Sequence, residues 1–177
     1  PYQHMVKTQA LENAFEQISR DFSIKEVILS GGDPLILDDQ QLVSIFESLQ
    51  QIKHVQRIRI HSRLPIVLPS RVTKQFIKLM RDTSLKTSLV VHVNHPNELD
   101  NLTIESLRRC KENGVILLNQ SVLLRNINNN VDTLTKLSEV LFSAGVLPYY
   151  MHLLDRVTGA SHFEVSDTEA LGLEAQL

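Results

Sequence analysis

In Glu26-Val27-Ile28-Leu29-Ser30-Gly31-Gly32-Asp33-Pro34 a short, mostly apolar run stops at two glycines. Runs of this length and composition form strands buried in a sheet. Two glycines in a row let the backbone turn tightly. The stripe Leu42, Ile45, Phe46 and Leu49 then has the i, i+3, i+4, i+7 spacing of a helix over Asp38 to Gln51. Strand, glycine turn and helix make one βα unit of a parallel sheet.

Working outward, the same alternation recurs. Arg57-Ile58-Arg59-Ile60, Ser88 to Val93, Val115 to Leu118 and Val146 to Met151 read as further strands. Their centres lie roughly 30 residues apart, the length of a strand-crossover-strand unit. Thr8 to Arg20 presents Leu11, Ala14, Phe15 and Ile18 on one face, and Val72 to Met80, Asn101 to Lys111 and Val131 to Phe142 repeat the pattern. Gly114 and Gly145 follow the last two as helix stops. A further helix is expected around Gly172. No linker or low-complexity stretch interrupts the series, so residues 1–177 read as one domain.

Such alternation fits a doubly wound sheet or part of a (β/α) barrel. The barrel is favoured by where the polar residues fall. Ser30-Gly31-Gly32-Asp33, His61-Ser62-Arg63, His92 with Asn94-His95, Asn119-Gln120 and Asp155 each lie at or after the C-terminal end of a different strand. Barrel active sites are assembled at that edge.

Composition narrows the function. The chain has 177 residues, 42% hydrophobic and 21% charged, which excludes a disordered chain. Eighteen basic and twenty acidic residues give a net charge of -2, which argues against nucleic acid as partner. No apolar run spans a bilayer and no signal peptide is visible, so a cytoplasmic location is expected. The single cysteine, Cys110, forms no internal disulfide and no cysteine metal site by itself.

Each candidate residue has a structural alternative. Asp33 accepts either an ammonium group or the amides of its own turn. The Ser30 to Pro34 segment is neither a P-loop nor a dinucleotide fingerprint, since the later motif residues are absent. Alternation places His92 and Asn94 on one face, and His92 and His95 read as pocket lining rather than metal ligands. Gln120 either binds ligand heteroatoms or satisfies a turn. Asp155 pairs with a cationic substrate or with Arg156. Cys110 lies beside Arg109 and Lys111, which would lower its pKa, but reads better as a structural thiol. Asn128-Asn129-Asn130 reads as a solvated loop with a helix cap, and His4 and His54 as surface residues.

Four blocks carry a resemblance: Val27 to Leu35, Ile60 to Val67 (Ile-His-Ser-Arg-Leu-Pro-Ile-Val), Val93 to Glu98 (Val-Asn-His-Pro-Asn-Glu) and Leu118 to Arg125. In this order, over Lys25 to Asp167, they resemble the lysine 2,3-aminomutase family of radical S-adenosylmethionine enzymes. The His-Ser-Arg-Leu-Pro-Ile-Val block and Leu154 to Phe163 are most similar to the branch that makes (R)-β-lysine for modification of elongation factor P. Residues 170–177 look less like the family.

The resemblance implies a partial (β/α) barrel of the radical S-adenosylmethionine type, truncated at both ends, with a [4Fe-4S] cluster, S-adenosylmethionine and pyridoxal phosphate as cofactors. It implies isomerisation of L-lysine by a radical 2,3-amino shift, and a functional link to elongation factor P and its lysyl-transferring enzyme. By match of position, Ser30, Gly31, Gly32 and Asp33 bind the methionyl amino end of S-adenosylmethionine. His92 and Gln120 line its pocket, and Asp155 receives the ε-ammonium of lysine. The family's three-cysteine loop would precede Pro1, and the lysine that holds pyridoxal phosphate would follow Leu177. The chain is therefore expected to be a central fragment, inactive alone, with no catalytic residue or metal ligand of its own. A catabolic lysine 2,3-aminomutase and a non-catalytic barrel module are the alternatives.

Overall fold

The computed structural model describes residues 8–155 and 157–177. His4 and Arg156, and the chain start at Pro1-Tyr2, lie outside the described residues. Helix α1 (Thr8–Arg20) is followed by β1 (Glu26–Leu29), α2 (Asp39–Gln50), β2 (Arg57–Ser62), a short α3 (Leu64–Val67), α4 (Lys74–Asp82), β3 (Lys86–His92), α5 (Asn101–Glu112), β4 (Ile116–Val122), α6 (Val131–Ser143), β5 (Leu147–His152) and α7 (Asp167–Glu174).

All five strands are parallel and stand in the order β1-β2-β3-β4-β5. A doubly wound sheet needs a point where the order reverses, and here there is none. The sheet winds one way, as a barrel wall does. Arg59 on β2 reaches the Tyr149 hydroxyl on β5 at 3.1 Å across the inner face. Three strand spacings separate these positions along the wall, roughly 14 Å, a gap that the two long side chains close across the inner face. The result is an open partial (β/α) barrel.

Strand alternation sorts the side chains. Ile58, Ile60, Leu89, Val91 and Leu117 face outward into a core completed by Leu42, Phe46, Leu49, Phe76, Met80, Leu107 and Leu141 from the helices. Arg59, His61, His92 and Gln120 have the opposite parity and line the inside of the curve. A smaller cluster, Leu123, Leu134, Val165 and Leu173, joins α7 to α6.

Local chemistry sets the boundaries. Asp38 caps α2 by accepting from the Gln41 amide at 2.8 Å, and Gln41 returns a bond to the Asp38 amide. Helix α4 begins at Lys74 rather than Val72 because Pro69–Arg71 forms a 3-10 turn and Thr73 caps the helix. After α5, Gly114 takes φ +82, and the Val115 amide bonds back to the Cys110 carbonyl at 3.1 Å. Gly145 closes α6 in the same way. The β4–β5 register shifts at Asn119/Gln120, opposite Pro148, which has no amide proton to give the ladder.

Candidate functional site

The loop after β1 is open at the glycines and tied down beyond them. Gly31 and Gly32 have φ of +79 and +68, and a Cβ at either would meet nothing within 4 Å. Asp33 turns its carboxylate toward the protein instead. One oxygen accepts from the Leu35 amide at 3.0 Å and the Ser62 hydroxyl at 2.6 Å. The other accepts from the amides of Arg63 at 2.7 Å and Leu64 at 3.2 Å. Of the two readings open for Asp33, its carboxylate therefore takes the capping one and latches the loop to the end of β2. A second latch lies downstream. Arg71 donates to the carbonyls of Leu35 and Leu37 and to Asp39, at 2.6 to 2.7 Å.

Inside the curve, His92 and Gln120 lie opposite each other on β3 and β4, with Gln120 Nε2 3.5 Å from His92 Nδ1. His61 on β2 packs against His92 edge to face, with ring centroids 6.2 Å apart. Burial, the largest cause in each case, holds both imidazoles below the ordinary histidine pKa. Nearer the N-terminal ends of the strands, Arg59 pairs with Glu26 at 2.7 Å and donates to Tyr149, which also accepts from Tyr150 at 2.9 Å. The Arg59 bond lowers the Glu26 pKa, and the bond from Tyr150 is the first cause lowering that of Tyr149. Alternation along β2 could have put Arg59 on this face with His61, but not the consecutive Tyr149 and Tyr150, which sit where the β4–β5 register shifts.

Several candidates have structural duties. Asn119 is buried and bonds both the amide and the carbonyl of Val93, prolonging the β3–β4 pairing with its side chain. Asn94 does not join His92 in the pocket as alternation implied. Its Oδ1 accepts from the Val122 amide at 2.8 Å, because β3 has ended at His92. His95 accepts from the Asn97 amide and caps a 3-10 turn, while Glu98 accepts from the amides of Asn94 and His95. Asn128 is no solvated loop residue. It is 0% exposed and donates to the carbonyls of Asn94 and Val122 while accepting from Leu124. Asn130 is the expected cap of α6.

His54 is half-buried, bonded to the Ile18 carbonyl at 3.0 Å and packed on Phe22, rather than a free surface residue. Cys110 is 0% exposed, and burial pushes its thiol up to about 12, overriding Arg109. Asp155 is exposed on a surface hollow of about 400 Å³ that it lines with Leu154, Val157, Ser161 and Glu164. Among the described residues, no three His, Cys, Asp or Glu side chains gather closely enough to hold a metal ion. No described helix is long and apolar enough to cross a membrane.

The residues present fit S-adenosylmethionine. The glycine loop leaves its backbone open, and Nε2 of His61 and of His92 are buried without a hydrogen-bond partner. They do not fit an iron-sulfur cluster, for which the one thiol is buried and protonated. Nor do they fit covalently held pyridoxal phosphate, since the segments following the five strands contain no lysine.

The open, singly wound sheet is shared with two solved structures. It superimposes on Streptococcus suis SuiB bound to S-adenosylmethionine with a TM-score of 0.70 at 11% identity, covering 94% of this chain and 39% of that one. For anSMEcpe with bound AdoMet the TM-score is 0.72 at 10% identity, covering 97% and 50%. No protein-family model matches the chain. The sequence is more particular: it is 48% identical over 158 residues to L-lysine 2,3-aminomutase of Haemophilus influenzae, covering 89% of this chain and 47% of the relative. Identity to that of Escherichia coli K12 is 46% over 166 residues, covering 94% and 48%, and to that of Clostridium subterminale 38% over 158 residues, covering 88% and 37%. The resemblance of this chain to the lysine 2,3-aminomutases is thus borne out. The chain spans about half the length of the first two relatives.

Proposed function

We propose that residues 1–177 are one domain, the central S-adenosylmethionine-binding part of a lysine 2,3-aminomutase. The whole protein converts L-lysine to (R)-β-lysine in the cytoplasm, for attachment to elongation factor P by its lysyl-transferring enzyme. What carries this reading is the 46–48% identity to proteins named L-lysine 2,3-aminomutase, sustained over 89–94% of the chain. The elongation factor P role rests on the resemblance of the His61 to Val67 and Leu154 to Phe163 blocks to that branch.

S-adenosylmethionine, with a [4Fe-4S] cluster and pyridoxal phosphate held by other parts of the whole protein, supplies the radical chemistry when bound. This chain positions and shields. Gly31 and Gly32 let backbone oxygens approach the methionyl ammonium, since nothing stands where their side chains would be. Asp33 acts at one remove, its four accepted bonds holding the loop in shape. His92 and Gln120 line the pocket, and the curved wall excludes water behind them. Asp155 offers an exposed carboxylate to the ε-ammonium of lysine.

The test is anaerobic incubation of the full-length protein with L-lysine, S-adenosylmethionine, pyridoxal phosphate and dithionite, read by chiral chromatography. (R)-β-Lysine is the expected product, and Asp155→Ala raises KM for lysine more than it lowers kcat. No β-lysine would overturn the reading. β-Lysine formation alongside unchanged elongation factor P modification in cells lacking the gene would place the enzyme in lysine catabolism instead.

A further inference from the structure

The N-terminal ends of β2 and β3, roughly 15–20 Å along the strands from His61 and His92, carry a second group of polar side chains. Arg57 opens β2 and Lys86 opens β3, and the register sets them directly opposite each other. Like charges in opposed ladder positions destabilise a sheet, where an opposite pair would support it. Lys53, in the turn after α2, joins them around a surface hollow of about 600 Å³ that Gln50, Gln56 and Ser84 also line. No acidic residue among the described residues lines it.

Elsewhere on the sheet and its loops, arginines find carboxylates: Arg59 pairs with Glu26, Arg63 with Glu98 and Arg71 with Asp39. Here, among the described residues, the side chains of Lys53, Arg57 and Lys86 make no hydrogen bond and no ion pair. Glu26 stands opposite Arg57 on β1, but both of its oxygens are bonded to Arg59, at 3.1 and 2.7 Å. Lys25, whose carbonyl accepts from the amides of Gln56 and Arg57, adds a fourth cation at this end of the sheet. Ser84 donates from its amide and its hydroxyl to Oε1 of Gln50, at 2.9 and 3.1 Å, which engages the acceptor of that glutamine and leaves the donors of its Nε2. The hollow is rich in donors and short of acceptors.

We propose that this hollow binds an oxyanion of the phosphate class carrying two or more negative charges. Bridging Arg57 and Lys86, the anion removes the repulsion between the first residues of β2 and β3. The planar fork of Arg57 matches two phosphate oxygens, while the ammonium groups of Lys53 and Lys86 act as point charges. A single carboxylate would leave two of these three charges unmatched. The concave shape and the volume are those of a small-molecule site rather than of a flat protein interface.

The test is calorimetric titration of the full-length protein with inorganic pyrophosphate, in phosphate-free buffer at two ionic strengths. Binding at one site per chain is expected, weaker at higher salt, with a thermal midpoint that rises with pyrophosphate concentration. Arg57→Gln and Lys86→Gln each weaken it about tenfold, whereas Arg108→Gln, which removes an exposed cation from α5, leaves it unchanged. Lys86→Glu places opposite charges on the opposed positions. It therefore raises the urea midpoint while abolishing pyrophosphate binding, a combination that a folding defect does not produce. Tripolyphosphate and ATP separate the sources: equal affinity assigns the site to a phosphate chain and tighter binding of ATP assigns it to a nucleotide, and either keeps the phosphate class.

No pyrophosphate binding by the full-length protein overturns the proposal, as does binding unchanged in Lys86→Glu or equally weakened in Arg108→Gln. Binding of hexaglutamate without binding of pyrophosphate overturns it in favour of an acidic protein segment. None of these readouts involves lysine or S-adenosylmethionine, so the outcome is separate from that of the aminomutase reading.

Discussion

At the scale of single residues, burial and hydrogen bonding decide between readings that residue type leaves open. An aspartate after two glycines can face a ligand or its own backbone, and only the distances to Leu35, Ser62, Arg63 and Leu64 choose. Three of these donors lie about thirty positions away in sequence, so no local pattern could show them. Asp33→Ala leaves these donors without their acceptor. It is expected to cost about 2–4 kcal/mol in urea unfolding, the range for several bonds to one charged group; a change under 1 kcal/mol would refute the latch. Cys110 is decided by desolvation, with neighbouring Arg109 the weaker influence. In native protein at pH 8, iodoacetamide should leave it unlabelled, and labelling should appear only with unfolding.

At the scale of elements, the helices and strands were legible because hydrophobic period and caps are local properties. α1 spans the same Thr8–Arg20 read from its stripe, and β1 the same Glu26–Leu29. The connections were less legible. α3 arises in a Leu-Pro-Ile-Val stretch too short to show a period. The amides after β3 and β4 form a network that no single segment reveals, because Asn94, Asn119 and Asn128 bond across strands rather than along them. Asn128→Ala removes three bonds at a fully buried site. It should lower stability by about 2–4 kcal/mol and speed hydrogen exchange at the Leu124 amide. Asn129, on the same loop, bonds only Asn126 and Glu169 near the surface, and its replacement by Ala should cost less than half as much.

At the scale of the molecule, curvature brings β2 and β5 together, and Arg59 marks the contact. Arg59 and Glu26 are 13% and 26% exposed, whereas the Arg20 and Glu16 side chains are 75% and 57% exposed. Arg59→Met strands a half-buried carboxylate and takes a donor from Tyr149, an expected loss of about 2–3 kcal/mol. Arg20→Met should change stability by about 0.5 kcal/mol or less. Equal effects in thermal or urea unfolding would mean that the inner ion pair does not hold the curve.

The inner face also sets a pH response. His61 and His92 have lower pKa values folded than unfolded, so the unfolded chain binds more protons just below the ordinary histidine value. Stability from these groups is full above about pH 6.5 and is lost as pH falls from there through their folded values. Urea midpoints from pH 8 to pH 5 should show that slope, and His61→Phe/His92→Phe should flatten it.

The sequence by itself determined the βα alternation, the apolar helix stripes, the glycine loop and the resemblance to lysine 2,3-aminomutases. All of these are written in short-range pattern or in motif order. Only the tertiary structure decided that the sheet winds one way, that Asp33 and Asn128 are latches, and that His61 meets His92 inside the curve. Those facts depend on strand order, register and curvature, which bring together residues far apart in the chain whose pairing no local periodicity encodes.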